Sequence, residues 1–160
     1  MKKIKNNKIL IIMTFLIAAA MIFSACAVSK TSITNSDFQS KASALSYQYQ
    51  DTKSSYEDNS EIISSTTAFE SSGSDILWSF DFIVLDSINN AKNMFLHNKS
   101  NFEGESGTSL SFSGTNYSSY ERTSDGLFMY VAYIDNTLVY SKVNEQYKDK
   151  VKALIDSIGY

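Results

Sequence analysis

The most regular pattern of apolar and polar positions in the chain runs from Ile76 to Leu85. Large apolar side chains occupy every second position of this run: Ile76, Trp78, Phe80, Phe82 and Val84. A period of two is typical of a β-strand, whose side chains alternate between two faces. Because the run is so apolar, we expect it inside a sheet, with its aromatic face beneath helices.

Six further segments alternate in the same way or are rich in β-branched residues, and they predict additional strands. They are residues 47–49, 62–70, 108–114, 116–124, 127–135 and 138–143. Asp125-Gly126 stands between two of them and favours a tight hairpin, since both turn positions need a positive φ. Asp135 to Thr137 provides a second turn. The C-terminal strands therefore predict an antiparallel meander with residues 127–134 at its centre.

Three segments carry apolar residues at spacings of three and four, which predicts amphipathic helices. They begin near Phe38, Ile88 and Tyr147, and the sequence offers a capping residue before each. The expected caps are Asn35 or Ser36, then Asp86 or Ser87, then Asn144, with Gly159 ending the last helix. The order of elements predicts an α+β fold: a single antiparallel sheet with a C-terminal strand meander and helices packed on one face.

The N-terminus has a different pattern. Residues 1–8 hold four lysines and no acid, residues 9–23 are apolar except for Thr14, and the small residues Ser24 and Ala25 lead to Cys26. A basic segment, an apolar segment and a small-residue exit are typical of a secretion signal. The lysines favour retention of this end on the cytoplasmic side.

Ser24, Ala25 and Cys26 resemble the end of a bacterial lipoprotein signal peptide, in which an aliphatic residue is usual at the position of Phe23. The resemblance implies that the Cys26 thiol receives a diacylglycerol and that a peptidase then cuts before it. It predicts a signal peptide over residues 1–25, a lipidated tether over 26–36 and one domain over 37–160. The protein would be held at the cell membrane, facing the extracytoplasmic side.

An uncleaved membrane anchor is the alternative interpretation of the same segment. Ile9 to Val28 is 20 residues long, about the length that spans a bilayer. Both interpretations place the bulk of the chain outside the cytoplasmic membrane, and they differ only in the anchor.

Removal of the signal changes the charge of the protein. The whole chain has a net charge of −3, but without the four lysines of residues 1–25 it has ten basic residues against 17 acidic ones, a net charge of −7. An acidic domain is repelled by nucleic acid, whose binding depends on neutralising phosphates. The chain is therefore expected to bind no nucleic acid. Cys26 is its only cysteine, so no intramolecular disulfide can form.

Residue types that bind metals are sparse. His97 is the only histidine and lies in a predicted helix, so a zinc site of the usual ligands is not expected. Four acids near one predicted loop lack the alternating spacing of a calcium-binding loop: Asp51, Glu57, Asp58 and Glu61. The sequence thus predicts neither a metal nor a cofactor.

Acidic side chains offer the remaining route to catalysis, because a pair of carboxylates can hydrolyse a glycosidic bond. Asp81 and Asp135 are the candidates. Asp81 lies among apolar residues, where desolvation would raise its pKa. It shares its strand face with Ser79, and we interpret it as a solvent-facing residue on the open side of the sheet.

Five tyrosines on neighbouring predicted strands are the best candidates for a binding surface: Tyr117, Tyr120, Tyr130, Tyr133 and Tyr140. If some of them share a face that the helices leave uncovered, their rings and hydroxyls suit a sugar, a peptide or a protein partner. Cross-strand packing is the alternative role.

Residues 98–102, 116–120, 134–140 and 147–150 are similar to segments of uncharacterised small bacterial cell-surface lipoproteins. That resemblance brings no catalytic residues. The sequence as a whole favours a non-enzymatic, membrane-anchored module that binds an envelope protein or glycan. An envelope glycan hydrolase that uses acidic residues is the alternative.

Overall fold

The computed structural model describes residues 28–56, 58–104 and 106–160 of the chain. The predicted signal over residues 1–25 and the predicted lipid attachment site Cys26 lie outside these residues. Among the helices that the structure describes, none combines the length and the apolar character needed to cross a membrane.

The strands form one antiparallel sheet, in the order β1-β2-β3-β7-β6-β5-β4. The seven strands are β1 (Gln48–Asp51), β2 (Ile62–Ser72), β3 (Asp75–Leu85), β4 (Thr108–Ser113), β5 (Tyr117–Ser124), β6 (Leu127–Ile134) and β7 (Thr137–Asn144). The expected position of β3 inside the sheet and the C-terminal meander are both confirmed. β3 pairs with β2 on one side and with β7 on the other, so it joins the N-terminal strands to the meander.

Two helices cover the first face of the sheet, defined here as the face that carries Phe80 and Phe82. They are α1 (Asn35–Ala44) and α3 (Lys148–Ile158). The Phe38 ring of α1 lies on that of Phe82, with the centroids 5.0 Å apart. The buried side of α3 packs into the same cluster, as its period of apolar residues predicts.

The second face, which carries Ile83 and Leu85, is covered by α2 (Ile88–Glu103). Phe95 and Phe102 of this helix pack against the sheet, and Phe95 contacts Tyr133 edge-on with centroids 5.4 Å apart. The expectation that all helices pack on one face is therefore wrong. Since β3, β6 and β7 carry apolar side chains on both faces, each face needs its own cover.

The ends of the helices follow their capping chemistry. Thr34, rather than Asn35 or Ser36, caps α1, because Thr34 and Asp37 exchange side-chain-to-backbone hydrogen bonds in a capping box. Ser87 caps α2 as predicted. Asn144 precedes a short 3₁₀ turn, Glu145–Tyr147, that leads into α3, and its side chain makes no cap hydrogen bond. Gly159 ends α3 with φ +78°.

The two predicted turns also form. Asp125 and Gly126 both have positive φ, +49° and +76°, between β5 and β6. Asp135 has φ +51° between β6 and β7. These left-handed residues are what a two-residue hairpin requires, and they hold the meander in register.

Replacing Leu154 with Asp tests the packing of α3. Leu154 is fully buried on the first face, so an unpaired carboxylate there should lower the free energy of unfolding by about 4 kcal/mol or more. Leu96→Asp on α2 is the matched control, because Leu96 is 58% exposed. Urea titration of the detergent-solubilised full chain, followed by circular dichroism, measures both variants. Equal unfolding midpoints for the two would contradict the packing of α3.

Candidate functional site

The first candidate site is a groove on the first face of the sheet, at the edge that α3 leaves uncovered. Its floor comes from β4, β5 and β6, whose register places Leu110 opposite Glu121 and Glu121 opposite Tyr130. Leu110 and Phe112 are 48% and 55% exposed although both are large and apolar. We call this the aromatic groove. Its volume is about 320 Å³, and Tyr117 and Tyr160 also line it.

Charged side chains form the walls of the aromatic groove. Lys152 of α3 forms a salt bridge of 3.3 Å with Glu121 of β5. Lys30 lies over the Tyr117 ring, 5.1 Å from its centroid, in a cation–π contact. The Lys30 ammonium is partly desolvated, which lowers its pKa, while the negative charge of Asp156 opposes that shift. The groove thus combines an apolar floor with charges of both signs.

Residues 28–34, assigned from sequence to the tether, contact the domain beside this groove. Asn116 accepts a hydrogen bond from the Lys30 backbone N–H (3.0 Å) and donates one to the Lys30 carbonyl (2.7 Å). The backbone N–H of Thr115 donates to the carbonyl of Val28 at 3.1 Å. A Cβ at Gly114 would collide with this carbonyl and with the Tyr117 ring, so the close approach requires glycine.

The structure divides the five candidate tyrosines between the two faces of the sheet. Tyr117 and Tyr130 lie on the first face and line the aromatic groove. Tyr120, Tyr133 and Tyr140 lie on the second face and pack beneath or beside α2. The five therefore form no single platform. Burial raises the pKa of Tyr130 well above its usual range, so its hydroxyl stays protonated.

The second candidate site is a cavity of about 260 Å³ between the second face of the sheet and α2. We call it the Asp81 cavity. Ile83, Met94 and Leu138 give it apolar walls, and Asp81 supplies a carboxylate. The other side chains at its border are polar or aromatic: Tyr56, His97, Asn98 and Tyr140. Asp81 is thus covered by α2, which corrects the interpretation that it faces solvent on an open side.

The Asp81 carboxylate is held from within the sheet. Thr67 donates its hydroxyl to Oδ1 at 2.6 Å, and Thr52 lies 3.1 Å from the Thr67 hydroxyl. Burial raises the pKa of Asp81, and the bond from Thr67 only partly opposes the shift. The pKa values of Tyr56 and Tyr140 are raised too, first by burial and then by the negative charge of Asp81.

The other sequence candidates stay apart from this carboxylate. Asp135 accepts a hydrogen bond from Asn116 at 2.9 Å, at the turn that begins β7, and it does not border the Asp81 cavity. His97 of α2 does border the cavity, and its side chain is exposed to solvent. Within the described part of the chain, no group of three or more histidine, cysteine and acidic side chains could hold a metal ion.

Sequence reasoning missed two sets of residues at these sites. Tyr56, at the end of the short 3₁₀ helix Lys53–Tyr56, and Met94 of α2 both reach the Asp81 cavity from elements distant in sequence. Nothing in their local sequence pattern indicates this. Gly114 and Asn116 hold residues 28–34 through contacts across more than 80 positions. Gly114, just before the strand predicted over residues 116–124, was the one available signal. An isolated glycine often marks a close approach of another backbone segment.

Replacing Asp81 with Asn should stabilise the domain at neutral pH, raising Tm by a few degrees. The raised pKa of Asp81 means that the folded state binds more protons than the unfolded state. The free energy of unfolding of the wild type therefore falls as the pH rises from the unfolded pKa of Asp81 to its folded pKa. The stability that D81N gains over the wild type should therefore be largest above the folded pKa of Asp81 and should vanish below its unfolded pKa of about 3.8. Scanning calorimetry across this range measures it.

Asp75→Asn is the control for D81N, because it removes the same charge from the exposed first residue of β3. A D81N protein less stable than wild type at neutral pH would show that the carboxylate contributes favourable contacts that outweigh its desolvation.

The chain was compared with protein-family models, with curated protein sequences and with solved structures. None of the three comparisons gives a match. Function must therefore be argued from the geometry of the two candidate sites.

Proposed function

We propose that the protein is a lipid-anchored, extracytoplasmic binding module of the bacterial cell envelope. In this proposal Cys26 carries the lipid, and the aromatic groove together with the free edge of β4 binds an extended segment of another envelope polypeptide. The observation that carries the proposal is the exposure of Leu110 and Phe112 on a strand that has an unpaired edge.

The edge of β4 favours a polypeptide as partner. β4 is the last strand of the sheet, all six of its residues are exposed, and it contains neither a charge nor a proline. Soluble proteins usually protect an edge strand with such residues. A partner strand could add to β4 through backbone hydrogen bonds, while its alternate side chains contact Leu110 and Phe112.

The opposite edge of the sheet differs. β1 has only four residues, and it ends in the charged Asp51. A short edge strand with a terminal charge is protected against pairing. The contrast between the two edges supports β4 as the site of strand addition.

The contacts of residues 28–34 support an anchor that is closely coupled to the domain. Val28 is bound at the turn between β4 and β5. Cys26 stands two residues earlier, and two extended residues reach at most about 7 Å. A lipid on Cys26 would therefore hold this turn close to the membrane surface. Two acyl chains suffice for stable anchoring, whereas one does not.

A two-carboxylate glycan hydrolase built on Asp81, the acid singled out from the sequence, gains less support. That mechanism needs a second carboxyl group within about 5–10 Å of the first, across a cleft. The described residues that border the Asp81 cavity include no acid other than Asp81. The non-enzymatic binding module therefore remains our proposal.

Replacing Cys26 with Ser tests the anchor. The variant should lose all incorporation of a radiolabelled fatty acid in growing cells, because the serine hydroxyl cannot take the place of the thiol. Ser24→Ala is the control and should keep the label, since alanine is as small. Label that persists in C26S would exclude Cys26 as the site. An unlabelled wild-type protein that retains its N-terminus would support the uncleaved anchor.

A photo-crosslinking amino acid at position 112 tests the partner in intact cells. The full chain with benzoylphenylalanine in place of Phe112 should yield a discrete adduct with a second, different protein. The same replacement of Leu96, exposed on α2, should not yield this adduct. Leu110→Lys should weaken the adduct at position 112, since a charge then enters the apolar contact. An adduct of the chain with itself, or one unaffected by L110K, would contradict the proposed partner.

A further inference from the structure

We propose that the Asp81 cavity binds a small organic ammonium cation, with the charged nitrogen at Asp81 and the organic part against Ile83, Met94 and Leu138. This site lies on the second face of the sheet, opposite the aromatic groove. The proposal is independent of the function proposed for that groove.

The hydrogen bonds of Asp81 leave room for a ligand. Its Oδ1 accepts the hydroxyl of Thr67 at 2.6 Å. Of the lysines and arginines that the structure describes, none forms an ion pair with this carboxylate. A half-buried carboxylate without a cation is costly, because burial removes water without supplying an opposite charge. An ammonium group inside the cavity would supply that charge.

The potential within the cavity selects the sign of the ligand. Burial, and after it the negative charge of Asp81, raises the pKa values of Tyr56 and Tyr140, so both phenols are neutral and leave Asp81 as the only charged carboxylate among the described residues that border the cavity. An anion would be repelled there. A neutral apolar molecule would cover Asp81 without compensating its charge.

The lining argues for an organic cation rather than a metal ion. Calcium takes six to eight oxygen ligands, whereas a single carboxylate borders this cavity among the described residues. The apolar side chains offer no ligands to a hydrated ion but suit methyl and methylene groups. Tyrosine rings attract ammonium groups by cation–π interaction, and two tyrosines border the cavity.

The size of the cavity restricts the ligand to a small molecule. Its volume of about 260 Å³ lies below the usual range of about 300–1,000 Å³ for pockets that hold drug-sized ligands. Asn98 donates its side-chain N–H to the Met94 carbonyl at 2.9 Å, which leaves its amide oxygen as an acceptor. A hydroxyl on the ligand could donate to that oxygen.

Calorimetric titration with choline tests the proposal, and 3,3-dimethylbutan-1-ol serves as its neutral isostere. The detergent-solubilised full chain should bind choline and bind the isostere more weakly by roughly tenfold or more, since a charge-assisted interaction is then lost. n-Propylammonium, titrated in parallel, examines whether a primary amine binds as well. Equal affinity for choline and its neutral isostere would overturn the proposal. Absence of binding by both choline and n-propylammonium would also overturn it.

Two variants assign the binding to this cavity. Asp81→Asn should weaken choline binding by roughly tenfold or more, whereas Asp75→Asn, at the exposed start of β3, should leave it unchanged. Unaltered binding by D81N would exclude the site.

A measurement on the wild-type chain serves if D81N folds poorly. With methionine methyl groups labelled by carbon-13, choline should shift the resonance of Met94, which borders the cavity. The fully buried Met129 should shift less. An unmoved Met94 resonance at saturating choline would equally overturn the proposal.

Discussion

The fold depends on the burial of β3 on both of its faces. Phe80 and Phe82 must be covered on one side, and Ile83 and Leu85 on the other. One layer of helices cannot meet both demands. The chain therefore places α1 and α3 on the first face and α2 on the second, and the sheet becomes the middle of three layers.

Both candidate sites arise where this covering is incomplete. On the first face α3 does not extend over β4, so Leu110 and Phe112 remain exposed. On the second face the polar Asp81 interrupts the apolar side of β3, and α2 passes over it without supplying a positive charge. The groove offers apolar area and a free strand edge, whereas the cavity offers a single negative charge. These are different binding chemistries, and they suit different partners.

The sequence allowed prediction of the strands, helices and hairpin turns because each is fixed by local periodicity or by a residue such as Gly126. The distribution of helices over two faces needed a further step. The sequence showed that Ile83 and Leu85 are apolar and lie opposite the aromatic side of the strand. An alternating pattern is nevertheless equally compatible with a sheet that has one face in solvent. The five tyrosines could also be identified from the sequence. Their division between the two faces depends on strand register, because a shift of one residue moves every side chain of a strand to the opposite face. The Asp81 cavity joins residues of separate elements, so no local pattern predicts it.

The contacts of residues 28–34 would link the anchor proposed at Cys26 to the groove. Val28 is bound at the turn between β4 and β5. Phe112 lies on β4, only two residues before Gly114 of that turn. If the acyl chains are attached at Cys26, this end of β4 lies close to the membrane, and the strand runs outward from there. A polypeptide that pairs with β4 must then approach within a few residues of the lipid surface. With the proposed lipid at Cys26, this geometry would favour a partner that is itself held at the membrane over one that diffuses freely.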